Sequence, residues 1–101
     1  MIIVWLEKAI VDRDGQLDYI AERNVTAAIG QGDHIEAQVN MLADFPNMGR
    51  AGKRKATLEL VIDKTPFIAV YRVKPQLERV EILRLLHSAQ QWPPKKPRAA
   101  T

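Results

Sequence analysis

Cysteine is absent from the 101 residues, which excludes a disulfide framework and thiolate metal sites and fits a reducing compartment, the cytoplasm. Also missing are long apolar runs: Met1 to Leu6 is apolar, but Glu7 and Lys8 end it, short of a membrane span or a secretory core. Histidine occurs only twice, with no metal-ligand spacing, and no Gly-rich phosphate loop joins a strand to a helix, so no metal and no cofactor is expected. Aromatics make up only 6% of the chain. Enough apolar content remains, 47% against 27% charged, to build one core, and the length suits a single domain.

Net charge is +3, but it is unevenly spread. From Met1 to Gly49 there are three basic residues and eight acidic ones, a balance of −5, whereas Arg50 to Thr101 carries twelve basic residues against four acidic ones, a balance of +8. Clustered positive charge steers and holds phosphates or carboxylates, so a polyanion or an acidic protein is the expected partner. The plainer alternative is a solvated basic face balanced by acidic helices.

Periodicity gives an α+β architecture. Ile2 to Trp5 reads as a strand from its β-branched and aromatic content. Leu6, Ile10, Leu17 and Ile20–Ala21 recur at helical spacing up to Arg23, with Gly15 as the weak point. Asn24 is placed to cap a second helix, whose stripe is Ala28, Ile35, Val39 and Leu42 and which ends before Pro46. Gly30 and Gly32 each cost that helix about 1 kcal/mol relative to alanine. Pro46 to Lys55 has loop composition. The period then becomes two: Thr57 to Ile62, Pro66 to Val73 and Arg79 to Leu86 read as three strands with turns at Asp63–Lys64 and Lys74–Pro75–Gln76, which makes an antiparallel meander. The expected fold is thus an N-terminal strand, a two-helix hairpin and a three-strand meander completing one sheet, with the helices on one face. Residues 1–92 form the domain, and 93–101 a basic, proline-rich tail expected to be extended and mobile.

The candidate functional residues are His87, Tyr71, Trp92, the arginines Arg50, Arg54, Arg72 and Arg84, and the lysines Lys53 and Lys55. A cationic cluster with one imidazole suits RNA cleavage, in which a base takes the 2′-hydroxyl proton and cations stabilise the charged transition state. It suits plain anion binding equally well. Arg72 and Arg84 sit among apolar neighbours and are read as facing outward. Tyr71, on the opposite face from Arg72, is read as core. His87 ends a strand and either caps backbone there or acts as the base. Trp92 either packs or offers a stacking surface.

The ordered set Ala27–Ala28, Ile35, Leu42, Pro46, Gly49–Arg50, Gly52, Glu59–Leu60–Val61–Ile62, Tyr71–Arg72–Val73, Val80–Glu81–Ile82–Leu83 and Leu86–His87–Ser88–Ala89–Gln90–Gln91–Trp92–Pro93 resembles the RelE/ParE superfamily of toxins from bacterial type II toxin–antitoxin pairs, over residues 2–93. The resemblance implies a cognate antitoxin whose acidic or amphipathic segment covers the toxin, and promoter DNA bound through that antitoxin. It also implies one of two targets. RelE-like members cleave mRNA on the ribosome, for which His87, Arg84 and Arg72 would be the catalytic set; ParE-like members poison DNA gyrase. The Tyr71–Arg72–Val73 strand and the Leu86–His87 strand end resemble the ParE-like branch more closely. Arg50, Lys53, Arg54, Lys55, Arg72, Arg84 and Trp92 are then the residues expected to meet antitoxin or target. Two departures stand out. Leu58 occupies a position where relatives carry arginine, which raises the alternative of a weakened, antitoxin-binding remnant, and Arg13 and Gln16 stand where the first helix is usually apolar.

Overall fold

The computed structural model describes residues 1–88 and 90–94; the basic tail from Lys95 lies outside the described residues. Strand β1 (Ile2–Trp5) leads through Leu6 into helix α1 (Glu7–Ala21), followed by α2 (Val25–Asn40), a 3-10 turn at Met41–Ala43, and strands β2 (Arg50–Ala51), β3 (Leu58–Val61), β4 (Phe67–Lys74) and β5 (Arg79–His87). The sheet order is β1-β5-β4-β3-β2. Only β1 and β5 pair in parallel; the other neighbours are antiparallel. The chain is α+β, with the strand, helical pair and meander expected from periodicity. The structure adds β2, a two-residue strand inside the segment read as loop, whose brevity leaves no alternating pattern to detect.

The sheet buries one face against the helices. Leu60, Ala69, Tyr71, Val80, Ile82 and Leu85 pack with Ile35, Val39 and Leu42 from α2 and its turn, and with Ala9 from α1. The Asn24 side chain accepts from the Ala27 backbone N–H at 3.0 Å and starts α2, satisfying one of the donors left free at a helix N-terminus. Gly30 and Gly32 leave α2 unbroken, and Gly32 lies close to the Leu17 side chain of α1.

Helix α1 differs from the sequence expectation. Its covered stripe is Ala9, Asp12, Arg13, Gln16, Leu17, Ile20 and Ala21, while Ile10 is exposed. The reason lies at the edge of β5. Pairing with β1 stops at Trp5 and Ile82, so Leu85, which has Ala69 of β4 on one side, has no β1 residue paired with it on the other. Asp12 and Gln16, one helical turn apart, take that place: Asp12 Oδ2 accepts from the Leu85 N–H at 3.0 Å and Gln16 Nε2 donates to the Leu85 carbonyl at 2.7 Å. Arg13, the other polar residue at an apolar position, lays its guanidinium over the Trp5 ring at 4.8 Å.

Candidate functional site

Among the described residues the second face of the sheet carries no helix, and a register irregularity decides what stands on it. Val70 pairs with Arg84 and Tyr71 with Ile82, which leaves Leu83 as an unpaired bulge residue. Strict alternation would put Arg84 on the same side as Val80 and Ile82, in the core. The bulge re-aims the strand end, so Arg84 and Leu86 join Arg72 and Val70 on the open face. Leu85 and His87 turn to the helical side, where the His87 ring meets Phe67 edge-on at 6.1 Å.

Carboxylates from the chain itself hold the arginines of the open face. Arg72 Nε donates to Glu81 Oε1 at 2.6 Å, and Arg79 Nη2 reaches Glu81 Oε2 at 2.6 Å. Glu81 is only 3% exposed; the hydrogen bond from Arg72 holds its carboxyl below the usual glutamate range against the opposing effect of burial. Arg50 pairs with Glu59 across β2 and β3 at 3.1 Å. Arg84 makes a two-pronged contact with Asp12, Nε to Oδ2 at 2.7 Å and Nη2 to Oδ1 at 3.1 Å. That bond raises the guanidinium pKa, opposed by burial. These are charge-assisted pairs of the stronger kind, and they commit the arginines on which the sequence reading placed most weight.

The loop before β3 is built by close approach. The Tyr71 hydroxyl, fully buried, donates to the Pro46 carbonyl at 2.8 Å and accepts from the Gly49 N–H at 3.0 Å. Burial raises the phenol pKa, and the Gly49 hydrogen bond partly offsets it. A Cβ on Gly49 would stand 2.6 Å from that hydroxyl, so only glycine fits. Downstream, the Gly52 N–H donates to the Thr57 carbonyl at 2.9 Å and the Thr57 hydroxyl to the Arg54 carbonyl at 2.7 Å, closing the turn that carries Lys53, Arg54 and Lys55. Ala56, in that turn, lies in the left-handed region at φ 61°.

The expected site residues divide between separate surfaces. Arg54, Lys55, Arg72, Arg84 and Trp92 line an open concavity of about 600 Å³, joined by Leu6, Thr57, Leu83, Pro94 and, from the first turn of α1, Glu7 and Lys8. Arg50, Lys53, His87 and Trp92 line a second, smaller one of about 100 Å³. Trp92 is buried against Val70 and Leu86, with the Arg54 guanidinium over its ring at 5.1 Å; it packs the chain end onto the open face. None of the concavities described brings His87 together with Arg72 or Arg84. Leu58 packs towards the helix-side core, away from the cations. Among the described residues no group of acids and histidines is arranged to hold a metal ion, and no helix is long and apolar enough to cross a membrane.

Sequence reasoning missed Lys8, Asp12, Gln16, Glu59 and Glu81. For Asp12 and Gln16 a signal existed: polar residues four apart on a stripe spaced for burial. Lys8 stood in the acidic half and was hidden by its neighbours.

Comparison with known proteins agrees with this fold. Residues 3–92 match the family model described as ParE toxin of type II toxin-antitoxin system, parDE. A Sinorhizobium fredii protein named "Putative toxin Y4kP" is 37% identical over 91 residues, covering 90% of this chain and 92% of the relative. A solved structure titled "Chromosomal ParDE TA system from P. aeruginosa" contains a chain that superposes with a TM-score of 0.76 at 27% identity, covering 86% of this chain and 95% of that one.

Proposed function

This chain belongs to the ParE toxin family of type II toxin–antitoxin systems, and on that premise we propose that it arrests growth in the cytoplasm by poisoning DNA gyrase and is held inactive by a cognate antitoxin. The observation that carries the choice of target is the scattering of the nuclease set. A ribonuclease needs its base and its charge-stabilising cations around one scissile phosphate. Here His87 faces the helical side beside Phe67, while Arg84 and Arg72 face the open side, each already bonded to a carboxylate. A poison has to occupy a surface of a larger enzyme, which a basic, helix-free sheet face can do.

The antitoxin's expected place is the same open face. Its basic residues, Lys53, Arg54, Lys55 and the arginine pairs around them, suit an acidic or amphipathic segment that orders as it binds. Leu58, where the resemblance led us to expect arginine, supports a working toxin rather than a remnant, because its side chain packs inward and the departure lies off the cationic surface.

Expression without antitoxin tests the reading. Growth arrest with a DNA-damage response is the expected result, and His87→Ala is expected to leave the arrest within about twofold of the parent, since a structural contact of this size is worth on the order of 1 kcal/mol. Codon-positioned mRNA cuts that vanish in His87→Ala would assign the chain to the nuclease branch instead, and unaffected growth would make it a remnant.

A further inference from the structure

The cations around the larger concavity fall into two groups. Arg72 and Arg84 are bonded to Glu81 and Asp12. Lys8, Arg54 and Lys55 line the same concavity and are exposed; Glu7, the sequence neighbour of Lys8, lines it too, but among the described residues no carboxylate lies within ion-pair distance of the three cations. Two of the three are held in place. The closed turn from Gly52 to Thr57 carries Arg54 and Lys55, and the Arg54 guanidinium lies over the Trp92 ring at 5.1 Å. The left-handed Ala56 belongs to this turn; a non-glycine residue in that region is a feature that gathers at ligand-binding segments. Lys8 comes from a different element, the first turn of α1.

We infer that Lys8, Arg54 and Lys55 form a binding site for the phosphate backbone of DNA, so that the free toxin grips DNA itself and the antitoxin silences it partly by covering these cations. The inference rests on the gyrase reading, and it follows from which anion is present when the toxin is active. The antitoxin is then gone, so the anion that meets these uncommitted cations belongs to the target, and a topoisomerase presents DNA. The lining agrees. The apolar part of the lining is limited to Leu6, Leu83, Pro94 and the buried Trp92, and Glu7 is its one acid against five cations; phosphate contacts require only cations.

The test is binding of a labelled duplex of about 20 base pairs to the purified toxin, without gyrase or antitoxin, across a salt series. Three phosphate contacts give a slope of log affinity against log salt near −2.7, roughly a 40-fold loss between 50 and 200 mM. The combined Lys8→Gln, Arg54→Gln and Lys55→Gln variant should bring the slope towards zero. Arg23→Gln, Lys64→Gln and Lys74→Gln together remove the same charge elsewhere and should leave it near the parent value. No duplex binding at 50 mM salt, equal slopes in the two triple variants, or tight binding of a polyglutamate peptide with none of DNA would each overturn the inference, the last by assigning the site to an acidic protein. Gyrase inhibition without DNA binding would remove this inference and leave the target reading intact; DNA binding without an effect on gyrase would do the reverse.

Discussion

Tyr71 holds the loop before β3 from the helical side of the sheet, and Glu81 holds Arg72 and Arg79. Alternation along β4 predicts that Tyr71 is buried, and it is, but alternation is silent about the hydroxyl, whose partners Pro46 and Gly49 lie more than twenty residues earlier in the chain. Removing it in Tyr71→Phe leaves one backbone donor and one acceptor short of a partner, and should lower stability by about 1–2 kcal/mol, read as a lower urea midpoint at unchanged slope. Glu81 was legible only as a charge. Its carboxyl is held below the ordinary range by Arg72, so its contribution is present in full above the unfolded glutamate value of about 4.3 and is lost as pH falls through the lower folded value. Stability followed from about pH 6 down to about pH 2, across the ordinary glutamate range, should therefore drop less steeply in Glu81→Gln than in the parent. Equal acid limbs would show that Glu81 is not held in this way.

At the scale of elements, the join of α1 to β5 explains most of what periodicity misjudged. A stripe chosen for apolar residues takes in Ile10 and leaves out Asp12 and Gln16, because hydropathy carries no record of an unpaired strand edge. Nor does alternation foresee the bulge at Leu83, since nothing in the run Ile82–Leu83–Arg84 marks the extra residue. Asp12→Ala strips acceptors from both Arg84 and the Leu85 N–H and should cost about 2–4 kcal/mol. Asp12→Asn keeps one acceptor and should cost less. Gln16→Ala, which frees a single carbonyl, should cost about 1 kcal/mol. Urea unfolding ranks the three, and hydrogen exchange at the Leu85 amide should quicken most in Asp12→Ala. Element identities were easier to read: the change of period from helical to alternating after Lys55 placed the last three strands to within a residue or two of their observed ends.

For the whole molecule, the split of charge along the sequence becomes a split in space. The acidic half supplies both helices and the basic half supplies four of the five strands, so the open sheet face is the cationic one. Composition was enough to locate that surface. It was not enough to say which cations are available, because that depends on carboxylates brought from other elements, Asp12 to Arg84 and Glu81 to Arg72. The surface thereby changes in meaning: Arg50, Arg72 and Arg84 are bonded to the chain's own carboxylates, and Lys8, Lys53, Arg54 and Lys55 have none within ion-pair distance among the described residues. The most direct test of the central claim is a supercoiling assay with purified gyrase and purified toxin. The expected result is loss of supercoiling with accumulation of cleaved DNA, reversed by the cognate antitoxin. Unchanged gyrase activity at large toxin excess would contradict it.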